Sequence, residues 1–311
     1  MTRQNYFDLI QNMGFDADKE FEIISKLISE KRRPSPTVLS LISIQDFFNR
    51  NFLLYLKHRK IQFTSYDEVN EYFKNNMNGI ERLFSYAEFI TDLYSFLKKN
   101  IGKLNNSFSN NFSDYLILNS YKEIEDRISY SLEKTNHELI TLENGDKIIV
   151  EKNVYASEVS QIISETNIQD AIKVLEYNHF ANKGNIQRKK EILLSLAGYL
   201  EPYLKKFEHP ETLPKELKDI YNELKIVLQT KGADTNKKGE KISKKIAVFD
   251  NLSEMYNQGG LRHNNNKQYH LNMNDEELEQ WYDNIYSSTL FVILSLEMGR
   301  NLSKLNELKK K

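Results

Sequence analysis

The chain has 311 residues, 40% of them hydrophobic, with 43 Lys and Arg against 44 Asp and Glu for a formal net charge of −1. That length supplies one large core or two ordinary ones, while the near-zero charge excludes a molecule-wide field of either sign and confines any nucleic-acid affinity to local patches. The absence of cysteine excludes disulfides, thiolate catalysis and Cys-ligated zinc or iron–sulfur centres, and suits a reducing cytoplasm.

Only five Pro and eleven Gly interrupt a sequence rich in Leu, Ile, Lys, Glu and Asn, which favours long helices over many strands. No apolar run reaches spanning length and the first residues lack a signal-peptide core, so the expectation is a soluble cytoplasmic protein with no membrane partner. In "DKEFEIISKLISEK", Phe21, Ile23, Ile24, Leu27 and Ile28 recur at helical spacing, and Pro34 and Pro36 close that stretch. Ser35 and Pro36 then read as N-cap and first-turn residue of a second helix whose apolar face is Leu39, Leu41, Ile42, Phe47, Phe48 and Leu53. A third runs through "NGIERLFSYAEFITDLYSFLKKN" with Leu83, Tyr86, Ile90, Leu93 and Phe96 on one side. "NNSFSNNFS" reads as a loop, and helical periodicity resumes in "DYLILNSYKEIEDRISYSLEK".

The period then changes. In "HELITLENGDKIIVEK" apolar residues alternate around Asn144-Gly145, a dipeptide suited to a two-residue type I′ turn, so one small β-hairpin is expected near residues 138–152. It marks a seam between an N-terminal helical region, 1–152, of unassigned function and a C-terminal helical region, 153–311. The fold class expected is therefore all-α, mainly a helical bundle, with one hairpin.

The C-terminal region continues with "NIQRKKEILLSLAGYLEPYLKKFE", which Pro202 is expected to bend or end, then a helix opened by Pro214, then the Lys-rich "TKGADTNKKGEKISKK". "IAVFDNLSEMYNQ" is stopped by Gly259-Gly260, and the last helix starts at "NDEEL", where Asn274 and Glu277 form a capping box. Between these helices stands "GGLRHNNNKQYHLN". Backbone N–H groups at a helix start favour an anion, an Arg can clamp a phosphate, and His is the side chain most easily poised for proton transfer near neutral pH. Arg262 with His263 or His270 is the inventory for cleaving RNA by activating its own 2′-OH without a metal or cofactor. Asn264, Asn265, Asn266 and Lys267 would contact the RNA, helped by Lys244 and Lys245 in a run from Lys231 to Lys245 that holds six Lys against Asp234 and Glu240. Arg188, Lys189 and Lys190 would add to that patch. Read instead as a plain polar turn, the same loop has His263 capping the preceding helix through its terminal carbonyls and His270 in solvent. No third metal ligand stands at a characteristic spacing, and there is no P-loop, GxGxxG or GxSxG.

With "NKGNIQRKKEILLSLAGYLEPYLK", "MYNQGGLRHNNNKQYH" and "EELEQWYDNIYSSTLFVILSLE" in view, the region from about Asn182 to the end resembles the all-helical HEPN-type domains of bacterial abortive-infection and toxin proteins. That resemblance implies a metal-independent endoribonuclease acting as an antiphage effector, a homodimer in which two motifs face each other, RNA such as tRNA as substrate, and a phage-derived trigger or regulatory partner. It makes Arg262 the phosphate-contacting residue, His263 its polar neighbour and His270 the downstream His. Seven residues separate Arg262 from His270, where the family has four to six. The alternative is a non-catalytic RNA- or nucleotide-binding or dimerisation module that regulates a partner. No heptad seam in the sequence demands self-association.

Overall fold

The computed structural model describes residues 14–33, 41–60, 62–100, 121–142, 145–232, 244–261 and 268–309. The chain is mainly all-α, and it divides into two compact units, Met1–Lys152 and Asn153–Lys311. In the first unit the helices are α1 (Ala17–Ser29), α2 (Ile44–Arg59), α3 (Tyr66–Asn76), α4 (Gly79–Lys99) and α5 (Lys122–Lys134). They are followed by the hairpin of β1 (His137–Thr141) and β2 (Lys147–Glu151).

α4 is the core helix of this unit. Leu83, Tyr86, Ile90, Leu93 and Leu97 are buried along it, and α1, α2, α3 and β2 pack around it. Rings fill the interior: Phe21 meets Tyr86 edge-on at 4.8 Å, Phe48 meets Tyr66 at 5.3 Å, and the buried Tyr66 and Tyr86 hydroxyls satisfy each other at 2.5 Å. Each large side chain so buried contributes about 1.5–3 kcal/mol.

Three sequence expectations change here. α2 begins at Ile44, with Ser43 as its N-cap in a reciprocal capping box with Asp46 at 3.0 Å each way, so the Ser35–Pro36 start falls outside the described residues. Ile42 instead pairs antiparallel with Arg32, and Leu41 and Leu53 are exposed, because the buried stripe is Phe47, Phe48, Asn51, Phe52 and Tyr55. α3 was not anticipated, although Ser65 accepting from the Glu68 N–H at 3.2 Å and the Tyr66, Val69, Phe73 spacing are helix signals. The hairpin ladder pairs Thr141 with Lys147, and the Leu142 N–H donates to the Asp146 carbonyl at 2.7 Å. That register encloses three residues rather than two, with Gly145 at φ +87° as the left-handed residue that closes such loops. Asn144 lies outside the described residues, as do the expected loop at 105–113 and the start of the helical reading before α5.

The second unit contains α6 (Val154–Ser164), α7 (Ile168–Glu176), α8 (Ile186–Glu208), α9 (Lys215–Val227), α10 (Ala247–Gln258) and α11 (Asp275–Lys309). α8 runs through Pro202 without ending. A two-residue strand pair, Thr230–Lys231 with Lys245–Ile246, was too short to carry a periodic signal. α11 is the axis: α6, α8, α9 and α10 all pack on it. Ile285, Leu290, Ile293 and Leu296 face inward, the buried Tyr256 and Thr289 hydroxyls bond at 2.8 Å, and Gly299 lets α9 approach so closely that a Cβ would stand 2.9 Å from Ile220 and Leu224. Among the described residues no helix is long and apolar enough to cross a membrane.

Candidate functional site

The two glycines of "GGLRHNNNKQYHLN" have separate jobs. Gly259 is the C-cap of α10, and Gly260, at φ +68°, takes the left-handed position after it. The Gly260 N–H donates to the Asn257 carbonyl at 3.3 Å and the Leu261 N–H to the Tyr256 carbonyl at 2.9 Å, a Schellman closure whose hydrophobic member, Leu261, is buried. A Cβ on Gly259 would stand 2.9 Å from Ile285 Cδ1 of α11, and one on Gly260 would stand 2.6 Å from the His270 ring. The first glycine lets α10 close against α11; the second provides the floor on which an imidazole lies.

Arg262, His263, Asn264, Asn265, Asn266 and Lys267 lie outside the described residues. The chain is described again at Gln268, and from there it is stapled back onto the last turn of α10. The buried Gln268 side chain donates to the Asn257 carbonyl, and the Tyr269 N–H donates to Gln258 Oε1 at 3.2 Å. His270, in a short 3₁₀ turn over Tyr269–Asn272, bonds through Nδ1 to the Gln258 carbonyl at 3.1 Å. The Gln258 carbonyl, which has no partner within the helix end, thus finds a donor on the returning segment, and the Asn257 carbonyl, already accepting from Gly260, takes a second. The plain-turn reading places His270 in solvent, whereas the ring is half-buried and bonds to a helix-end carbonyl; the capping expected of His263 lies outside the described residues.

That bond sets the tautomer. A carbonyl oxygen only accepts, so Nδ1 carries the proton and the neutral ring presents Nε2 as its unprotonated nitrogen. The ring is half-buried, and Nε2 has no hydrogen-bond partner among the described residues. Two residues beyond the 3₁₀ turn, the capping box closes as the sequence reading expected: the Glu277 N–H donates to Asn274 Oδ1 at 2.9 Å and the Asn274 N–H to Glu277 Oε2 at 3.0 Å. Those contacts fill the first positions of α11 with its own acidic residues, so its N-terminus faces Asp275, Glu276 and Glu277.

The basic residues assemble differently from the sequence expectation. Lys245 and Lys231 share Asp250, at 3.1 and 2.6 Å, in the first turn of α10, about 12 Å along the helix from Gln258, where His270 is bound. Burial pushes the Asp250 carboxyl up, but the two ammonium groups outweigh it and hold it below the usual carboxylate range. The Lys244 backbone carbonyl accepts from the Tyr221 hydroxyl at 2.7 Å. Arg188 is paired with Glu176 and Glu191. Lys189 is buried between Glu279 and Asp283, 2.7 Å from each, over the Tyr177 ring. Burial raises Glu279, while Lys189 and the Gly184 N–H at 2.7 Å prevail and hold it below the usual range. This locked network, a cation with two carboxylates, ties α8 to the first turns of α11 and was invisible in the charge count. Among the described residues no group of three His, Asp or Glu side chains is placed to hold a metal. No family model, no curated protein and no solved structure matches the chain.

Proposed function

We propose that the loop between α10 and α11 is the active site of a metal-independent endoribonuclease, with His270 as general base and Arg262 as the phosphate-binding cation. The observation that carries this reading is the Nδ1 bond to the Gln258 carbonyl, which orients the imidazole and leaves Nε2 unprotonated in the neutral ring, the state a base needs. In the reaction, Nε2 takes the proton of a ribose 2′-OH, the 2′-oxygen attacks phosphorus, and the bond from phosphorus to the 5′-oxygen breaks. The leaving oxygen takes up a proton, and the products are a 2′,3′-cyclic phosphate and a 5′-hydroxyl. Arg262 would stabilise the charge that develops on the phosphorane. His263 remains the neighbouring candidate base, and Asn264, Asn265, Asn266 and Lys267 the RNA contacts. The cellular role that the family resemblance suggests is that of an antiphage abortive-infection effector, active in the cytoplasm as a homodimer and released by a phage-derived trigger.

The test uses labelled tRNA in EDTA with wild type, Arg262→Ala and His270→Ala. The expected result is cleavage to 2′,3′-cyclic ends, reduced at least ~100-fold in each variant, and blocked by a 2′-deoxy substitution at the cut site. Because His270→Ala also releases the loop staple, the pH–rate profile is the deciding readout: the limb reporting the base must disappear with the imidazole. A second reading has its own observation, that the His270 contacts described are all to its own helix end, which suits a rigid binding turn without chemistry. Intact RNA under every condition, with binding that depends on Arg262, would favour that module.

A further inference from the structure

The 3₁₀ turn that carries His270 presents two bare apolar side chains. Tyr269 and Leu271, its neighbours on either side in sequence, are 59% and 53% exposed, although the turn is entered from the buried Gln268. Exposed tyrosines elsewhere are occupied: Tyr72 packs on Phe63 and Phe73, and Tyr130 lies under Arg127 and Lys134. The Tyr269 side chain has no ring, cation or hydrogen-bond partner among the described residues. Its backbone is nonetheless fixed. The Gln268 side chain donates to the Asn257 carbonyl, the Tyr269 N–H to Gln258 Oε1 at 3.2 Å, and the Leu271 N–H to the Gln268 carbonyl at 3.3 Å. A tyrosine so mounted has only two side-chain rotations to lose when something flat covers it. Successive residues of a 3₁₀ turn project about 120° apart. The His270 ring leans inward, where a Cβ on Gly260 would stand 2.6 Å from it, so Tyr269 and Leu271 flare outward on either side of the imidazole.

We propose that Tyr269 is a base-stacking platform: its ring takes the base of an RNA nucleotide and so sets that nucleotide's ribose beside Nε2 of His270. This rests on the ribonuclease reading and adds to it the residue that holds the substrate's base. Size favours a base as occupant. One aromatic ring and one leucine side chain fall far short of the ~1,000 Å² that a specific protein interface needs, whereas a base matches a single ring. Position favours it too. The base and the 2′-hydroxyl of a nucleotide are joined through one sugar ring, a span like that between neighbouring side chains of a turn. Charge decides which part of the nucleotide enters: Asp275, Glu276 and Glu277 follow closely at the start of α11 and repel a phosphate, which leaves the neutral base. A stacking ring reads no hydrogen-bond pattern, so the platform is tolerant of sequence and requires only that the base be out of a duplex.

The test separates base from phosphate. Short single strands of deoxyadenosine, which lack the 2′-hydroxyl and cannot be cut, and abasic strands of the same length and charge are titrated at low salt into full-length wild type, Tyr269→Ala and Tyr269→Phe. The expected result is that Tyr269→Ala weakens the deoxyadenosine strand about 5- to 100-fold and leaves the abasic strand unchanged, while Tyr269→Phe stays within about two-fold of wild type on both. The fluorescence of Trp281, the only tryptophan, should give the same urea midpoint for all three proteins, since the Tyr269 side chain is exposed and unpartnered. A wild type that does not prefer the base-bearing strand overturns the proposal. So does Tyr269→Ala with equal losses on the two strands, or with none; the last result assigns the bare ring to another kind of partner, a protein surface included. Cleavage of tRNA in EDTA by Tyr269→Ala at the wild-type KM also overturns the platform while leaving the ribonuclease intact. Base-dependent binding that is lost in Tyr269→Ala, in a protein that cuts no RNA, upholds the platform and removes the ribonuclease.

Discussion

Replacing Gly260 by Ala should destabilise the second unit by two separable amounts. The left-handed backbone at φ +68° costs an Ala about 1–2 kcal/mol. The new Cβ would also stand 2.6 Å from His270 Cε1 and 2.8 Å from Nε2, closer than any ordinary contact, so the ring must leave. Leaving breaks the Nδ1 bond to Gln258, a loss of about 1 kcal/mol, plus the packing of the ring on the glycine. The sum is about 2–3 kcal/mol in the wild-type background. In a His270→Ala background only the backbone cost survives, so the double-mutant cycle should return a coupling of about 1–2 kcal/mol. Trp281 is the only tryptophan, and its indole Nε1 would lie 3.5 Å from a Cβ on Gly259, so its fluorescence reports this corner of the second unit without interference from the first. With a urea slope of about 2 kcal/mol per molar, Gly260→Ala should lower the midpoint by about 1 M and leave the slope unchanged. Equal costs in both backgrounds, within about 0.3 kcal/mol, would refute the placement of His270 over Gly260.

Lys189→Met, read by the same fluorescence, should cost about 3 kcal/mol, since it strands Glu279 in a part-buried site while the half-exposed Asp283 recovers some solvent. Adding Glu279→Gln to it should recover a large part of that loss. Glu279 is held below the usual carboxylate range, so its contribution is full above the ordinary value of about 4.3 and is lost as pH falls through the folded value. Urea midpoints measured from about pH 6 down to about pH 3 should therefore fall less steeply in Glu279→Gln than in wild type. Asn274→Ala removes the cap of α11 and should cost about 1 kcal/mol in the midpoint, whereas Asn274→Asp should cost little.

The helical architecture was legible because its signals are local. Apolar spacing marks α1, α4, α8, α9 and α11, Gly259-Gly260 marks where α10 stops, and the Asn274–Glu277 box marks where α11 starts. The misreadings come from competition between equally good local signals. One unbroken helix from Ser35 is not what forms, since Leu41, Ile42 and Ser43 are non-helical; the helix starts after Ser43, whose Asp46 partner at the third helical position completes the box and whose following residues, Ile44, Phe47 and Phe48, are buried. Asn144-Gly145 fits a two-residue turn, yet the ladder follows burial: Ile149 and Val150 point into the unit, and the Ile149 N–H donates to Glu88 of α4 at 2.6 Å, which holds the register one residue away from the tight turn.

At the α10–α11 loop, residue counting and hydrogen-bond satisfaction ask different questions. Counting from Arg262 to His270 measures a spacing along the chain. What positions His270 is the requirement that the last carbonyls of α10 find donors, which Gln268 and His270 supply from the returning segment and which Gly260 permits by having no side chain. The same logic explains why the outer face of α11 was hidden. Its Phe291, Met298 and Leu305 are interleaved with Leu290, Ile293 and Leu296, so the helix reads as apolar nearly all round, and a sequence window cannot say which face the neighbours will consume. Once α8, α9 and α10 have covered the inner face, Phe291, Met298 and Leu305 are left exposed, in a stretch whose composition alone looks like ordinary core.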